Sequence, residues 1–141
     1  MIERKGNPLS FLAEINMITM TKLTDAQKLR EICEREGVEY TEKIMAITAV
    51  DKDEMLGYSL FLAEDKLCII NISTSPMLWN IIGDGLFRAT LNFGAENGIS
   101  SAKIEKNLLE KLKGNVIPSD KATENIQDCE AFLQDIKKCG R

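Results

Sequence analysis

The segment that most constrains the fold runs from residue 44 to residue 73, where three β-prone stretches follow one another with short polar turns between them. The stretches at 44–50, 55–63 and 67–73 are rich in β-branched and apolar residues. The turns are the acidic and basic residues at 51–54 and 64–66. Because strands joined by such short connections lie antiparallel, the sequence predicts a three-stranded meander.

A further strand and a helix are predicted before the meander. Residues 17–23 alternate β-branched and other side chains, as strands do. Residues 24–27 form a capping-box pattern that opens a helix, with Thr24 in the capping position. Gly37 is placed to end this helix. The apolar face of the helix consists of Leu29, Ile32 and Cys33.

The longest predicted helix follows the meander at 82–97 and ends at Gly98. Its apolar face consists of Ile82, Leu86, Ala89 and Phe93. A short strand at 101–105, a short helix at 107–113 and a last helix at 126–138 complete the chain. The last helix would bury Ile126, Cys129, Phe132, Leu133 and Ile136. A strand, a long helix and a second strand in that order form a right-handed parallel unit. The predicted fold class is therefore α/β (α+β mixed), with a central mixed, largely antiparallel sheet flanked by helices.

The length of 141 residues suits one domain. Residues 1–16 are interpreted as an N-terminal appendage and residues 17–141 as the single domain. Either Met17 or Met20 is compatible with the true start of that domain.

Composition excludes several classes of function. The net charge of −4 argues against a nucleic-acid partner, which requires a basic face. No apolar run approaches the roughly 20 residues of a membrane helix, and residues 1–15 lack a signal-peptide core. A cytoplasmic location without membrane contact is the resulting expectation. The absence of histidine excludes a Ser-His-Asp triad, a Cys-His pair and an H-E-x-x-H metal site.

The four cysteines do not predict a metal site, because none of them forms a C-x-x-C pair. Cys33, Cys68 and Cys129 lie on apolar faces and are interpreted as buried small hydrophobic residues. Cys139 lies near the end of the sequence and is expected to be exposed.

The residues that indicate chemistry lie where the third meander strand leads into the long helix. Residues 81–85 include Gly83 and Gly85 at the predicted helix start. Helix N-termini present unpaired backbone N–H groups, and glycines let a phosphate approach them closely. This turn is therefore a candidate pyrophosphate cradle. A purely structural role for both glycines is an equally open interpretation.

This part of the sequence resembles the GNAT superfamily of acyl-CoA-dependent N-acyltransferases, especially small bacterial members. In that superfamily a Gln/Arg-x-x-Gly-x-Gly/Ala signature follows the fourth strand and opens a long helix. Asn80, Gly83 and Gly85 have this spacing, with asparagine in place of the usual Gln or Arg. Residues 56–61 are similar to the third strand of the family, and residues 128–140 to the tail of some members.

The resemblance implies acetyl-CoA as co-substrate, an amine or peptide as acceptor, and direct acyl transfer between them. It assigns the pyrophosphate to the backbone amides of Ile82 to Leu86, and the pantetheine arm to Ile72 and Ser73, where a backbone N–H would polarise the thioester carbonyl. The implied cofactor-binding residues are Ile72, Ser73, Asn80, Ile81, Ile82, Gly83, Asp84, Gly85 and Leu86.

Catalytic groups are less well defined by the sequence. The tyrosine that commonly follows the fifth strand in the family is missing, since the only tyrosines are Tyr40 and Tyr58. Tyr58 and Glu105 are the catalytic candidates, with Glu110 as a second possible base; core packing for Tyr58 and surface exposure for the glutamates are the alternatives. Trp79 either caps the cofactor groove or packs structurally. Two further hypotheses stay open: a catalytically degenerate acyl-CoA-binding or regulatory module, and a homodimeric structural partner.

Overall fold

Six strands and four α-helices are arranged along residues 18–140, which are the residues that the computed structural model describes, with backbone only at 137–140. The strands are β1 (Thr19–Lys22), β2 (Ile44–Asp51), β3 (Glu54–Ala63), β4 (Leu67–Thr74), β5 (Ala102–Ile104) and β6 (Asn125–Ile126). The α-helices are α1 (Ala26–Glu36), α2 (Asp84–Glu96), α3 (Lys106–Leu112) and α4 (Cys129–Gly140). Short helical turns lie at Pro76–Leu78, Trp79–Gly83 and Ser119–Lys121. The predicted appendage at 1–16 and the Cys139 side chain lie outside the described residues.

The strands form one sheet whose spatial order follows the chain from β1 to β6. Neighbouring strands from β1 to β4 are antiparallel, β4 and β5 are parallel, and β5 and β6 are antiparallel. The predicted meander and the mixed, largely antiparallel sheet are therefore confirmed. The parallel step is made by the long connection through α2, as expected for a strand–helix–strand unit.

Helices cover both faces of the sheet. On one face, the predicted apolar stripe of α1 packs against alternate residues of β2 and β3. On the other face, α2 and α4 cover a larger cluster that includes Phe61, Ile69 and Phe87. Within residues 18–140, none of the helices has the length and apolar character that a membrane crossing requires.

The start of α1 differs from the prediction by one residue. Asp25, rather than Thr24, is the N-cap, and its carboxylate accepts hydrogen bonds from the backbone N–H groups of Gln27 (3.0 Å) and Lys28 (3.2 Å). A carboxylate is the stronger acceptor for two amide donors at a positive helix end. Gly37 ends the helix in the left-handed region with φ 71°, as predicted.

The prediction of a last helix beginning at Ile126 is wrong. Ile126 lies in β6, where it pairs with Ala102, and α4 begins at Cys129. The spacing of Ile126 and Cys129 suits one face of a helix, but the free edge of β5 engages the backbone at 125–126 instead. Ile126 is still buried in the same core cluster as Cys129.

Three burial predictions also need adjustment. Phe132 and Leu133 of α4 are only partly buried and pack against the core cluster. Ala89 and Phe93 are only partly buried, because the buried face of α2 is centred on Leu86, Phe87, Thr90, Leu91 and Gly94. Cys68 is partly buried, whereas Cys33 and Cys129 are buried as predicted.

Candidate functional site

The parallel pairing of β4 with β5 covers only the first part of β4. The paired residues are Leu67 with Ala102, Cys68 with Lys103 and Ile69 with Ile104. The chain then turns away from β5 into α3, while β4 continues to Thr74. An irregularity in the β3–β4 pairing, where Leu60 pairs with Asn71 but Phe61 with Ile69, falls at this point. Residues 71–74, which we call the open edge of β4, therefore face α3 rather than a neighbouring strand.

The backbone of Ile72 is directed into this open edge. Its C=O accepts a hydrogen bond from Lys111 Nζ on α3 at 2.9 Å. In an extended strand the N–H and C=O of one residue point to the same side, so the N–H of Ile72 also faces the open edge. Ser73 alternates with it and lies opposite Tyr58 of β3. Of the two residues predicted to hold a pantetheine arm, Ile72 thus presents its backbone at the open edge.

The helical run after β4 begins earlier than predicted. Ser75 is extended, Pro76 occupies the first helical position, and a 3₁₀ turn leads through a π-helical turn, Trp79–Gly83, into α2. The α-helix itself, α2, begins at Asp84, within two residues of the predicted start at Ile82, and the helical turns before it were not predicted. The fixed φ of a proline suits the first turn of a helix, which explains why the run starts at Pro76.

Because these turns precede α2, the predicted site residues lie at different depths along the helical run that begins at Pro76. Asn80 and Ile81 are exposed in the π turn that follows the 3₁₀ turn, and Ile82 follows them with a buried side chain. The first four amides of a helical run lack partners within it, and in this run they precede Asn80. The predicted residues at 83–86 lie further inside the helical run, and Gly83 and Leu86 are buried.

Protein side chains lie against both glycines of the predicted cradle. A Cβ on Gly83 would be 2.7 Å from Trp79 Cε3, and a Cβ on Gly85 would be 2.5 Å from Met20 Cε. The Trp79 ring is held in place, since its indole N–H donates to the backbone C=O of Lys111 at 3.2 Å. Packing therefore accounts directly for the glycine at position 83, whereas the flexible end of Met20 beside Gly85 can shift at little cost.

An ion pair lies in the first turns of α2. Arg88 Nε donates to both carboxylate oxygens of Asp84, at 3.0 and 3.1 Å. This pairing neutralises a negative charge that would otherwise oppose a phosphate near the helix start. Among the described residues, Nη2 of Arg88 is buried and has no hydrogen-bond partner.

A chain of polar side chains crosses the sheet beside the open edge. Tyr58 donates its hydroxyl to the carboxylate of Glu36, the last residue of α1. Asn71 Nδ2 donates to both Glu36 oxygens at 3.0 Å, and Lys111 Nζ donates to Asn71 Oδ1 at 2.9 Å. We call these four side chains the Glu36–Lys111 chain.

The ionisation of this chain is shifted at both of its ends. Burial raises the pKa of Tyr58, and the hydrogen bond to Glu36 and the charge of Glu36 raise it further. Burial lowers the pKa of Lys111, while the charge of Glu36 opposes that effect. Partial burial next to the open edge is the largest cause of both pKa shifts.

The other catalytic candidates lie apart from this chain. Glu105 and Glu110 are exposed, at the start and in the middle of α3. Tyr58, the candidate that belongs to the chain, is 3% exposed and lies in the core cluster beneath α1. The sequence prediction missed Glu36, Asn71 and Lys111; the only signal for them was one asparagine within an apolar strand.

Comparisons with known proteins identify the fold. No protein-family model matches the sequence, and no curated protein matches it. Among solved structures, an aminoglycoside acetyltransferase from an uncultured soil metagenomic sample, in complex with trehalose, superposes with a TM-score of 0.56 at 13% identity, over 74% of this chain and 90% of that chain. The ribosomal-protein alanine N-acetyltransferase from Escherichia coli superposes with a TM-score of 0.50 at 14% identity, over 77% and 89%.

These two neighbours share the fold of the chain. Its fold is that of the GNAT superfamily, as the resemblance of its central segment predicted.

Proposed function

We propose that this chain is an N-acyltransferase that transfers an acetyl group from acetyl-CoA to a small amine or a peptide. The observation that carries the proposal is the open edge of β4, which lies directly before a helix start in a GNAT fold. An open strand edge offers alternate backbone N–H and C=O groups to a ligand, and a pantetheine arm carries two amides that pair with such groups. Of the two backbone groups of Ile72 on this side, the C=O is bonded to Lys111 Nζ, and the N–H is the one offered to a ligand.

The π turn Trp79–Gly83 would supply the second half of the proposed CoA site. Asn80, Ile81 and Ile82 would direct backbone amides of the π turn at the pyrophosphate, near the positive end of the helical run, which favours an anion. Because Gly83 and Gly85 have no side chain, the Trp79 ring and the end of the Met20 side chain can pack against this part of the helical run. Asp84 is paired with Arg88, and Leu86 anchors α2 in the core.

The chemistry follows from these positions. The amine nitrogen attacks the thioester carbonyl carbon, and the N–H of Ile72 stabilises the negative charge that develops on the carbonyl oxygen. Ser73 lies on the side of Tyr58 and would line the acceptor side of the site. Glu105, or water, would take the proton that the amine loses.

Thiol release from acetyl-CoA, measured against a panel of amines, tests this proposal. Asn80 is exposed, so changes there should leave the fold intact. Asn80→Glu should raise the KM for acetyl-CoA about five-fold, because a repulsive charge at a helix start costs roughly 1 kcal/mol. Asn80→Arg is the matched control and should lower the KM or leave it unchanged. Equal KM values in the two variants would place the pyrophosphate elsewhere.

A second candidate is an acyl-CoA-binding or regulatory module without turnover. It is favoured by the contacts of Trp79 and Lys111, which fill space beside Gly83 and along the open edge. Such a module would bind acetyl-CoA but release no thiol with any amine. A homodimer and a cytoplasmic location stay predictions.

A further inference from the structure

We infer that Lys111 is the general acid that protonates the CoA thiolate as it leaves. This inference rests on the proposed acetyl transfer and assigns a step of it that the sequence left without a residue. Tyr58, the tyrosine candidate, has its hydroxyl engaged with Glu36.

The position of Lys111 carries the inference. Lys111 is on α3, and its Nζ reaches across the open edge to the C=O of Ile72 at 2.9 Å. The N–H of the same residue is the proposed donor to the thioester carbonyl. A thioester held there has its sulfur next to its carbonyl oxygen, and so within reach of the ammonium group.

The donor count of the ammonium group is compatible with this role. A lysine ammonium has three N–H donors. Two of them are used, by Ile72 O and by Asn71 Oδ1. Among residues 18–136, whose side chains the structure describes, no acceptor lies at the third N–H, which is available to a sulfur that enters the open edge.

Asn71 is a positioning residue for Lys111. Its amide N–H₂ donates to Glu36, so its oxygen must face the lysine. The Trp79 ring lies 5.3 Å from Lys111 Nζ and favours the cationic form. Hydrogen bonds to β4 and the contact with the Trp79 ring together keep Lys111 at the open edge.

The titratable groups that face Lys111 are Glu36 of α1 and, through it, Tyr58 of β3. Burial lowers the pKa of Lys111, which makes its ammonium a better proton donor, while the charge of Glu36 keeps the group protonated near neutral pH. The lysine is therefore both charged before the step and able to release a proton during it.

Atoms and charge balance in the proposed step. The C–N bond forms as the amine attacks, and the C–S bond breaks as the intermediate collapses. The sulfur takes a proton from Lys111 Nζ, leaving a neutral lysine and free CoA thiol. The nitrogen of the new amide loses one proton to water or Glu105, and Lys111 regains one from solvent.

Three variants test the inference in the full chain with acetyl-CoA and the best amine of the panel. Lys111→Met removes the proton donor, and Lys111→Arg keeps the charge but cannot release a proton at working pH. Both should lower kcat about 100-fold, with little change in the KM for acetyl-CoA. Lys113→Met is the matched control, since Lys113 is an exposed lysine just after the same helix, and it should keep wild-type kcat.

The pH profile separates catalysis from a structural role. In the wild type, kcat should fall at alkaline pH as Lys111 loses its proton, and this fall should disappear in Lys111→Met while the melting temperature stays close to that of the wild type. If Lys111→Arg or Lys111→Met retains kcat within about three-fold of the wild type, the inference is overturned and the proposed function stands. If the wild type releases no thiol with any amine, the proposed function itself fails and takes this step with it.

Discussion

Cys129, the first residue of α4, has a thiol that is enclosed by the core. Burial raises the pKa of this thiol to about 11, and the charge of neighbouring Asp128 adds to the effect. In the unfolded chain the thiol ionises near its ordinary pKa of 9.0. The folded state therefore holds its proton over a range in which the unfolded state does not.

The sign of the resulting pH dependence follows from linkage. Stability due to this thiol is fully present below the unfolded pKa and is lost as pH rises toward the folded pKa. The loss should amount to about 2 kcal/mol between about pH 9 and about pH 11.

Urea unfolding of the wild type and of Cys129→Ala across this range measures the effect. The stability advantage of the wild type over the variant should shrink by that amount as pH rises. Cys68→Ala, which removes a partly buried thiol, controls for the loss of a cysteine. A wild-type advantage over Cys129→Ala that does not change with pH would contradict the assignment.

At the scale of elements, the turn between β4 and α2 depends on the contact between Trp79 and Gly83. Alanine is normally better than glycine in a helix by about 1 kcal/mol. Here the added Cβ would be 2.7 Å from the Trp79 ring, which is held by its hydrogen bond to Lys111. The steric cost of overpacking, about 1–3 kcal/mol, should exceed the gain in helix propensity.

Thermal unfolding of Gly83→Ala should therefore show a lower melting temperature than the wild type. The same substitution in a Trp79→Ala background should be neutral or stabilising, since the ring is gone. Equal effects of Gly83→Ala in both backgrounds would show that the ring does not require the glycine.

The elements that the sequence predicted well are those set by local chemistry. The meander follows from β-prone runs between short polar turns, and α1 from a cap, an apolar stripe and Gly37. The two helical turns before α2 were missed because residues 79–82 carry no capping signal of their own, and the π turn depends on tertiary packing. The strand at Ile126 was missed because its partner, Ala102, is distant in sequence, with α3 and a 3₁₀ turn between them.

At the scale of the whole molecule, the candidate site is assembled from residues that are distant in sequence. The Glu36–Lys111 chain joins α1, β3, β4 and α3, and no spacing rule links these positions. The glycine turn was visible in the sequence, but its glycines serve packing as well as any ligand. The sequence indicated the fold and the position of the candidate site. The polar groups of the site could not be predicted, because they are brought together only by the tertiary structure.

The most direct test of the central claim is a calorimetric titration of acetyl-CoA into the full chain. We expect saturable binding of one acetyl-CoA per chain, with a matching rise in melting temperature because the ligand binds only the native state. Binding should be weaker in Asn80→Glu than in Asn80→Arg. An absence of both heat and thermal stabilisation at millimolar acetyl-CoA would contradict the proposal that the open edge of β4 and the helix start after it form a CoA site.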